Sequence, residues 1–274
     1  MTARVLVDGF AEDRVSALDR GLAYGDGLFE TIRVVDGAAP LWDRHIARLR
    51  DGCRRLDLPV PGVATLAEEL AHVADGMTDA AVKIILTRGR GERGYAPPES
   101  IHVTRIVAAF PSALLPSDWY RDGIRVRCCG LRLAFQPRLA GIKHLNRLEQ
   151  VLARAEWSDA AVVEGLLFDQ AGNLVCATAA NVFVGVAGEL LTPPVDKCGV
   201  AGVMRGALLD AFPDVHLQTM TKEELMHADE IFLASSVRGV LPVRMLDEHV
   251  FRVGRYARAA QASWRALGFP GGQA

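Results

Sequence analysis

Residues Pro137–Trp157 read PRLAGIKHLNRLEQVLARAEW, and they hold a change of pattern. A loop marked by Pro137 and Gly141 gives way to helix-spaced apolar residues, so the sequence predicts a helix from about Lys143 to Trp157. Lys143 stands at the junction. A lysine held there away from bulk water becomes a nucleophile toward carbonyl groups, because desolvation disfavours the charged amine. From position alone an ordinary surface lysine is the commoner outcome, since lysine is rarely buried.

Outward from this stretch, a strand is expected at Ile124 to Arg132. Short strands follow from Glu164 to Leu191, with turns at Ala171-Gly172 and Ala187-Gly188. A helix is expected near Gly202 to Ala211. Thr221 and Glu224 have capping-box spacing, Glu230 to Ser235 reads as a strand, and Tyr256, Ala260, Trp264 and Leu267 mark a terminal amphipathic helix. Toward the N-terminus, strands are expected at Val5 to Val7, at Glu30 to Val35 turning at Asp36-Gly37, at Ala81 to Thr87 and at Ile101 to Ala109. Between them, Trp42, Ile46, Leu49, Cys53 and Leu56 form a helical stripe over Leu41 to Leu56, and a weaker helix covers Thr65 to Ala74. The order is that of an α+β protein. Phe110 to Tyr120 (FPSALLPSDWY) carries two prolines and no periodicity, so it is read as a linker between an N-terminal α+β domain, 1–109, and a C-terminal α+β domain, 121–274.

The bulk numbers narrow the function. The chain has 274 residues, 50% hydrophobic and 23% charged, with a formal net charge of −2. Two small soluble domains fit this, and there is no basic patch to hold nucleic acid or an anionic membrane. The N-terminus MTARVLVDGF lacks a charged start and a long apolar stretch, which leads us to expect a cytoplasmic protein. Cys53, Cys128, Cys129, Cys176 and Cys198 have no CxxC spacing and are expected as free thiols, mostly in the core.

Several motifs are tempting and weak. Gly89-Arg90-Gly91-Glu92-Arg93-Gly94 spells a dinucleotide fingerprint, but Tyr95-Ala96-Pro97-Pro98 follows where a helix is required. It is better read as an arginine-bearing loop, in which Arg88, Arg90 and Arg93 either meet a substrate carboxylate or stay solvated. The histidines form no HxxxH or HxH pair, which argues against a catalytic metal, and no GxSxG elbow presents a serine nucleophile. Gly202-Val203-Met204-Arg205 opens a helix with free backbone N–H groups suited to an anion. Arg48 lies one residue from the apolar stripe of its helix, with a guanidinium able to add a bidentate contact to a phosphate.

Taken together these pieces resemble a known family. Asp19 to Thr31 (DRGLAYGDGLFET), His45-x-x-Arg48-Leu49, Gly141 to Asn146 (GIKHLN), Asn181-Val182-Phe183 and Gly202 to Arg205 (GVMR) stand in the order found in fold-type IV pyridoxal-phosphate enzymes. That family holds branched-chain aminotransferases, D-amino-acid aminotransferases and aminodeoxychorismate lyases. The resemblance implies a two-domain α+β architecture with the pyridoxal 5'-phosphate cofactor at the domain interface. It implies that Lys143 holds the cofactor covalently and later carries a proton, and that Arg48, the backbone of Val203 and Met204, and Ser236 receive the phosphate. Ser236 is placed by counting back from Leu241-Pro242-Val243. The family also implies a homodimer in which Tyr24 to Thr31 lies on the substrate side. Thr31 and Arg93 are the candidates for substrate contact.

Within the family, IKHLNRLEQVLARAEW and the RGxGxRGY loop from Arg88 to Tyr95 resemble the lyase branch, whose reaction converts 4-amino-4-deoxychorismate to 4-aminobenzoate and pyruvate, a step toward folate. One position departs. Five residues before Asn181 the family carries a glutamate that pairs with the pyridine nitrogen, and here Cys176 stands in its place. A thiol is mostly neutral at pH 7 and a poor substitute for a carboxylate. Aromatisation of the product lessens the need for an electron sink, so Cys176 weighs more against an aminotransferase than against a lyase. Two alternatives stay open: a D-amino-acid or branched-chain aminotransferase, and a catalytically impaired or silent homologue.

Overall fold

A computed structural model describes residues 4–112 and 115–270. Its internal contacts divide the chain into Met1–Ala113 with Ile142–Asn146, and Leu114–Gly141 with Arg147–Ala274. The first unit contains β1 (Arg4–Val7), α1 (Arg20–Tyr24), β2 (Gly27–Val35), α2 (Trp42–Leu56), α3 (Val63–Ala74), β3 (Asp79–Thr87) and β4 (Thr104–Pro111). The strands pair antiparallel in the order β1-β4-β3-β2. Period-two alternation turns Leu28, Glu30, Ile32 and Val34 of β2 inward, where all four are buried. The buried stripe of α2 consists of His45, Ile46, Leu49, Gly52 and Cys53. β2 ends at Asp36 and Gly37, both at positive φ (47° and 77°), as the expected Asp-Gly turn requires.

The second unit contains α4 (Ser117–Arg121), β5 (Ile124–Leu133), α5 (Leu148–Arg154), β6 (Val162–Asp169), β7 (Leu174–Ala177), β8 (Asn181–Val186), β9 (Glu189–Thr192) and α6 (Val203–Ala211). It continues with β10 (His216–Leu217), α7 (Lys222–Leu225), β11 (Glu230–Ser235), β12 (Gly239–Leu246), β13 (His249–Val250) and α8 (Arg255–Ala266). The sheet runs β10-β9-β8-β11-β12-β5-β6-β7, with β13 on β12. Four strands separate β7 from β8 in that order, yet only Thr178, Ala179 and Ala180 join them, so the sheet curls back on itself. The curl encloses Ile124, Leu166, Phe168, Val182, Ile231, Leu233 and Val243 in one core. The capping box at Thr221 and Glu224 forms. Among the described residues no helix is long and apolar enough to cross a membrane.

Three expectations need correction. The helix read from Lys143 to Trp157 is present only as α5, because the backbone of Ile142–Asn146 is already paired: Phe29 N–H donates to the Lys143 carbonyl (2.9 Å) and Leu145 N–H to that of Gly27 (3.0 Å). Those residues extend the sheet beyond β2 and group with the first unit, whereas the sequence reading assigned the lysine to the C-terminal domain. The stretch read as a linker begins in β4, which runs through Pro111, and ends in α4; its Ala113 and Leu114 lie outside the described residues. β12 was missed, since Gly239-Val240-Leu241-Pro242-Val243 has no alternation and includes a proline, yet it is a buried interior strand.

Candidate active site

In the first unit the geometry converges on the start of β2. Two backbone hydrogen bonds flank an antiparallel bridge between Leu28 and His144, fixing Lys143 beside Phe29. The Lys143 ammonium lies 4.3 Å from the centre of the Phe29 ring, and that of Lys83 5.0 Å from the same ring. Thr31 follows Phe29 on the same face of β2 and is half-buried. Lys143 therefore rests on an aromatic surface, half-buried, with its main chain held at both sides.

On the opposite face of β2, Glu30 is 1% exposed and receives the Arg48 fork, Nε to Oε1 at 2.8 Å and Nη2 to Oε2 at 2.5 Å. His45 Nδ1 meets Oε2 of the same carboxylate at 2.6 Å. Burial alone would raise the Glu30 acid, but the Arg48 charge and the hydrogen bonds from His45 and Arg48 outweigh it and hold the carboxyl at about 2. The pKa of His45 is lowered too, because burial outweighs what the Glu30 contact restores, so the ring is neutral at pH 7. Against an ionised carboxylate, Nδ1 must carry the proton. The i, i+3 spacing of His45 and Arg48 puts them on one helix face.

The arginine-rich loop turns out to be architectural at its root. Arg88 is buried, with Nε on Asp26 (2.8 Å) and its terminal nitrogens on the carbonyls of Leu56 and Asp57, so it is committed to the end of α2 and cannot serve a substrate. Arg20 binds Asp26 at 2.9 Å and the carbonyls of Gly94, Tyr95 and Ala96, which fixes the loop's far side. Arg90 and Arg93 remain exposed.

In the second unit, α6 starts at Val203 after Gly202, with no side chain capping its first turn, which leaves the helix start open to an anion. Asn181 holds that start in place. Its Nδ2 donates to the Val200 carbonyl (3.0 Å), and a Cβ on Gly202 would fall 2.0 Å from its Oδ1. Ser236 is half-buried in the turn between β11 and β12. Arg238 secures this turn by an ion pair to Glu164 (2.7 Å), by its N–H on Ser235 Oγ (3.0 Å) and by its carbonyl on Tyr120 Oη (2.9 Å). Sequence reading missed Glu164 and Arg238, which lie 74 residues apart and share no local pattern.

Cys176 sits on β7 opposite Leu167, in an apolar cluster with Cys129, Leu133, Trp157 and Cys198. Burial pushes its thiol up to about 12, with Cys198 adding to the rise and Arg147 opposing it. It is neutral across the working pH range. All five cysteines are free, and Cys128 alone of them is only half-buried.

The sequence profile of the amino-transferase class IV family matches residues 27–246. The chain belongs to this family. Among class IV relatives, it is 32% identical over 267 residues to an aminodeoxychorismate lyase of Vibrio harveyi, covering 94% of this chain and 98% of that one. A putative branched-chain-amino-acid aminotransferase of Methanocaldococcus jannaschii is 32% identical, over 86% of this chain and 84% of its own length. The crystal structure of a 4-amino-4-deoxychorismate lyase from Pseudomonas aeruginosa superposes with a TM-score of 0.91 at 46% identity, covering 96% of this chain and 98% of that one.

The class IV residues fit pyridoxal phosphate at most points. A half-buried lysine on an aromatic face suits an aldehyde, and the uncapped start of α6 suits a phosphate. Cys176 is the exception, being neutral where a carboxylate would pair with a protonated ring nitrogen.

Proposed function

We propose that this enzyme cleaves 4-amino-4-deoxychorismate into 4-aminobenzoate and pyruvate, a step toward folate, with pyridoxal phosphate as cofactor. The observation that carries the reading is the nearly full-length similarity to two lyases of that name, at 32% and 46% identity. When bound, the cofactor supplies an aldehyde for an amine and an electron-poor ring that draws charge from the substrate. Lys143 would hold it covalently and, once released from it by the substrate amine, would carry a proton at Nζ. Arg48, the backbone N–H groups of Val203 and Met204, and Ser236 receive the phosphate, while Asn181 fixes the start of α6. Thr31 and Arg93 are the residues we assign to the substrate. Lys143 would take the ring proton and pass it to the departing enolpyruvyl group, which leaves as pyruvate; the other product is aromatic, and its stability drives the step.

Cys176 bears on the alternative. An aminotransferase must hold a carbanion until it is reprotonated, and a neutral thiol gives little help. A lyase whose product gains aromaticity depends less on that help. This favours the lyase over a D-amino-acid or branched-chain aminotransferase.

We also propose a homodimer. On α5, Leu148, Val151 and Leu152 are 68%, 61% and 54% exposed, an apolar stripe that a second copy would cover.

The test is direct. The purified protein, loaded with pyridoxal phosphate, is given 4-amino-4-deoxychorismate beside a Lys143→Ala variant, with 4-aminobenzoate followed by fluorescence and pyruvate by a coupled dehydrogenase. Both products, absent with the variant, are expected. Glutamate formed instead from amino acids and 2-oxoglutarate would establish the aminotransferase. No turnover with either, although borohydride fixes the cofactor to the Lys143 peptide, would mark a silent homologue.

A further inference from the structure

We propose that His45 and Glu30 are positioning residues for Arg48: the imidazole holds the carboxylate, and the carboxylate fixes the plane of the guanidinium that faces a phosphate monoester. This rests on the reading of Arg48 given above.

A lone arginine on a helix samples many rotamers, and a phosphate must then order it on binding. Here Glu30, nearly inaccessible on β2, takes Nε and Nη2 in a bidentate fork, so the plane is set before any ligand arrives. Glu30 is itself held by His45 Nδ1, which stops the carboxylate from rotating off the fork. The three groups come from two elements packed face to face, β2 and α2, so their spacing does not depend on a loop. Arg48 is not sealed in; its side chain is 12% exposed, against 1% for Glu30.

The protonation of the ring follows from the same geometry. His45 is fully buried, and its Nε2 has no hydrogen-bonding partner among the described residues. With Nδ1 protonated toward Glu30, Nε2 is a bare acceptor. The charges facing His45 are Glu30, Arg48 and Lys143, which places the ring within the electrostatic reach of the lysine assigned to the cofactor.

The experiment compares affinity for pyridoxal phosphate with affinity for pyridoxal, which lacks the phosphate, in the wild type and in Arg48→Lys, Glu30→Gln, His45→Leu and His45→Asn. The urea midpoint of each is recorded beside it. Asparagine places an N–H donor near Nδ1 and omits Nε2. The phosphate preference is expected to fall about tenfold in His45→Leu and Glu30→Gln, the scale of one charge-assisted hydrogen bond. His45→Asn is expected to restore most of it, with pyridoxal affinity unchanged throughout. If His45→Leu loses stability but keeps the preference, the residue is merely structural and the proposal fails. If Arg48→Lys keeps the preference, Arg48 does not hold the phosphate, and that reading falls with everything built on it. Should His45→Leu not fold, His45→Asn and Glu30→Gln decide the matter through the same ratio.

Discussion

Glu30 carries a negative charge where water does not reach it, and that sets how the protein meets acid. Its carboxyl sits at about 2, against an ordinary value of 4.5. Because the folded-state pKa is depressed, the stabilisation is complete above about pH 4.5 and is lost as pH falls toward 2. The lowered His45 acts earlier in the same direction: below its ordinary 6.5 the unfolded chain takes up a proton that the folded ring refuses. Urea midpoints should therefore decline from about pH 6.5 and more steeply below pH 4.5, the Glu30 part being on the order of 3 kcal/mol. Glu30→Gln should lower stability at pH 7 and flatten the steep limb; an unchanged limb would mean that other carboxylates govern acid unfolding. At Cys176, a neutral thiol in an apolar cluster supplies no charge, so Cys176→Ala should leave turnover within about threefold of wild type in a 4-aminobenzoate assay. A hundredfold loss would give the sulfur a part in the chemistry. Lys143 and Arg48 can be proposed from the sequence because their motifs are local. The hold of Glu30 on Arg48 cannot be, since nothing in a strand's letters says which helix it will face.

Among the elements, the sequence pattern located β2, α2, β11 and α6 to within a few residues, where alternation or a helical stripe was strong. It failed where tertiary pairing took over. Ile142–Asn146 continues a helical pattern in letters, but its Lys143 carbonyl and Leu145 N–H are taken by β2, and hydrogen bonding to a sheet edge excludes a helix there. The start of α6 shows how little room such a junction has. In Gly202→Ala the new methyl would meet Asn181 Oδ1, so Asn181 must swing away and release the Val200 carbonyl. The expected cost is about 1–3 kcal/mol of unfolding free energy, measured by urea titration. Faster loss of cofactor on dialysis should accompany it. Unaltered retention would separate Asn181 from the phosphate site.

For the molecule as a whole, the two-unit plan was legible and its true division was not, because a contiguous reading cannot foresee a five-residue return. The exposed stripe of α5 predicts the assembly state. Leu148→Lys with Leu152→Lys should shift the protein from dimer to monomer in analytical ultracentrifugation, and a wild type that is already monomeric at micromolar concentration would refute the dimer. The return of Ile142–Asn146 to the first unit also bears on how the chain is made. β2 leaves the ribosome early, but the segment that pairs with the start of its outer edge, at Gly27 to Phe29, is synthesised only after β5. During that interval a bare sheet edge is open to pairing with other nascent chains. A fragment ending at residue 112 keeps that edge permanently uncovered. We expect such a fragment to aggregate, so dissecting this protein into separately expressed halves calls for a circular permutant or a grafted lysine strand rather than a cut between β4 and α4.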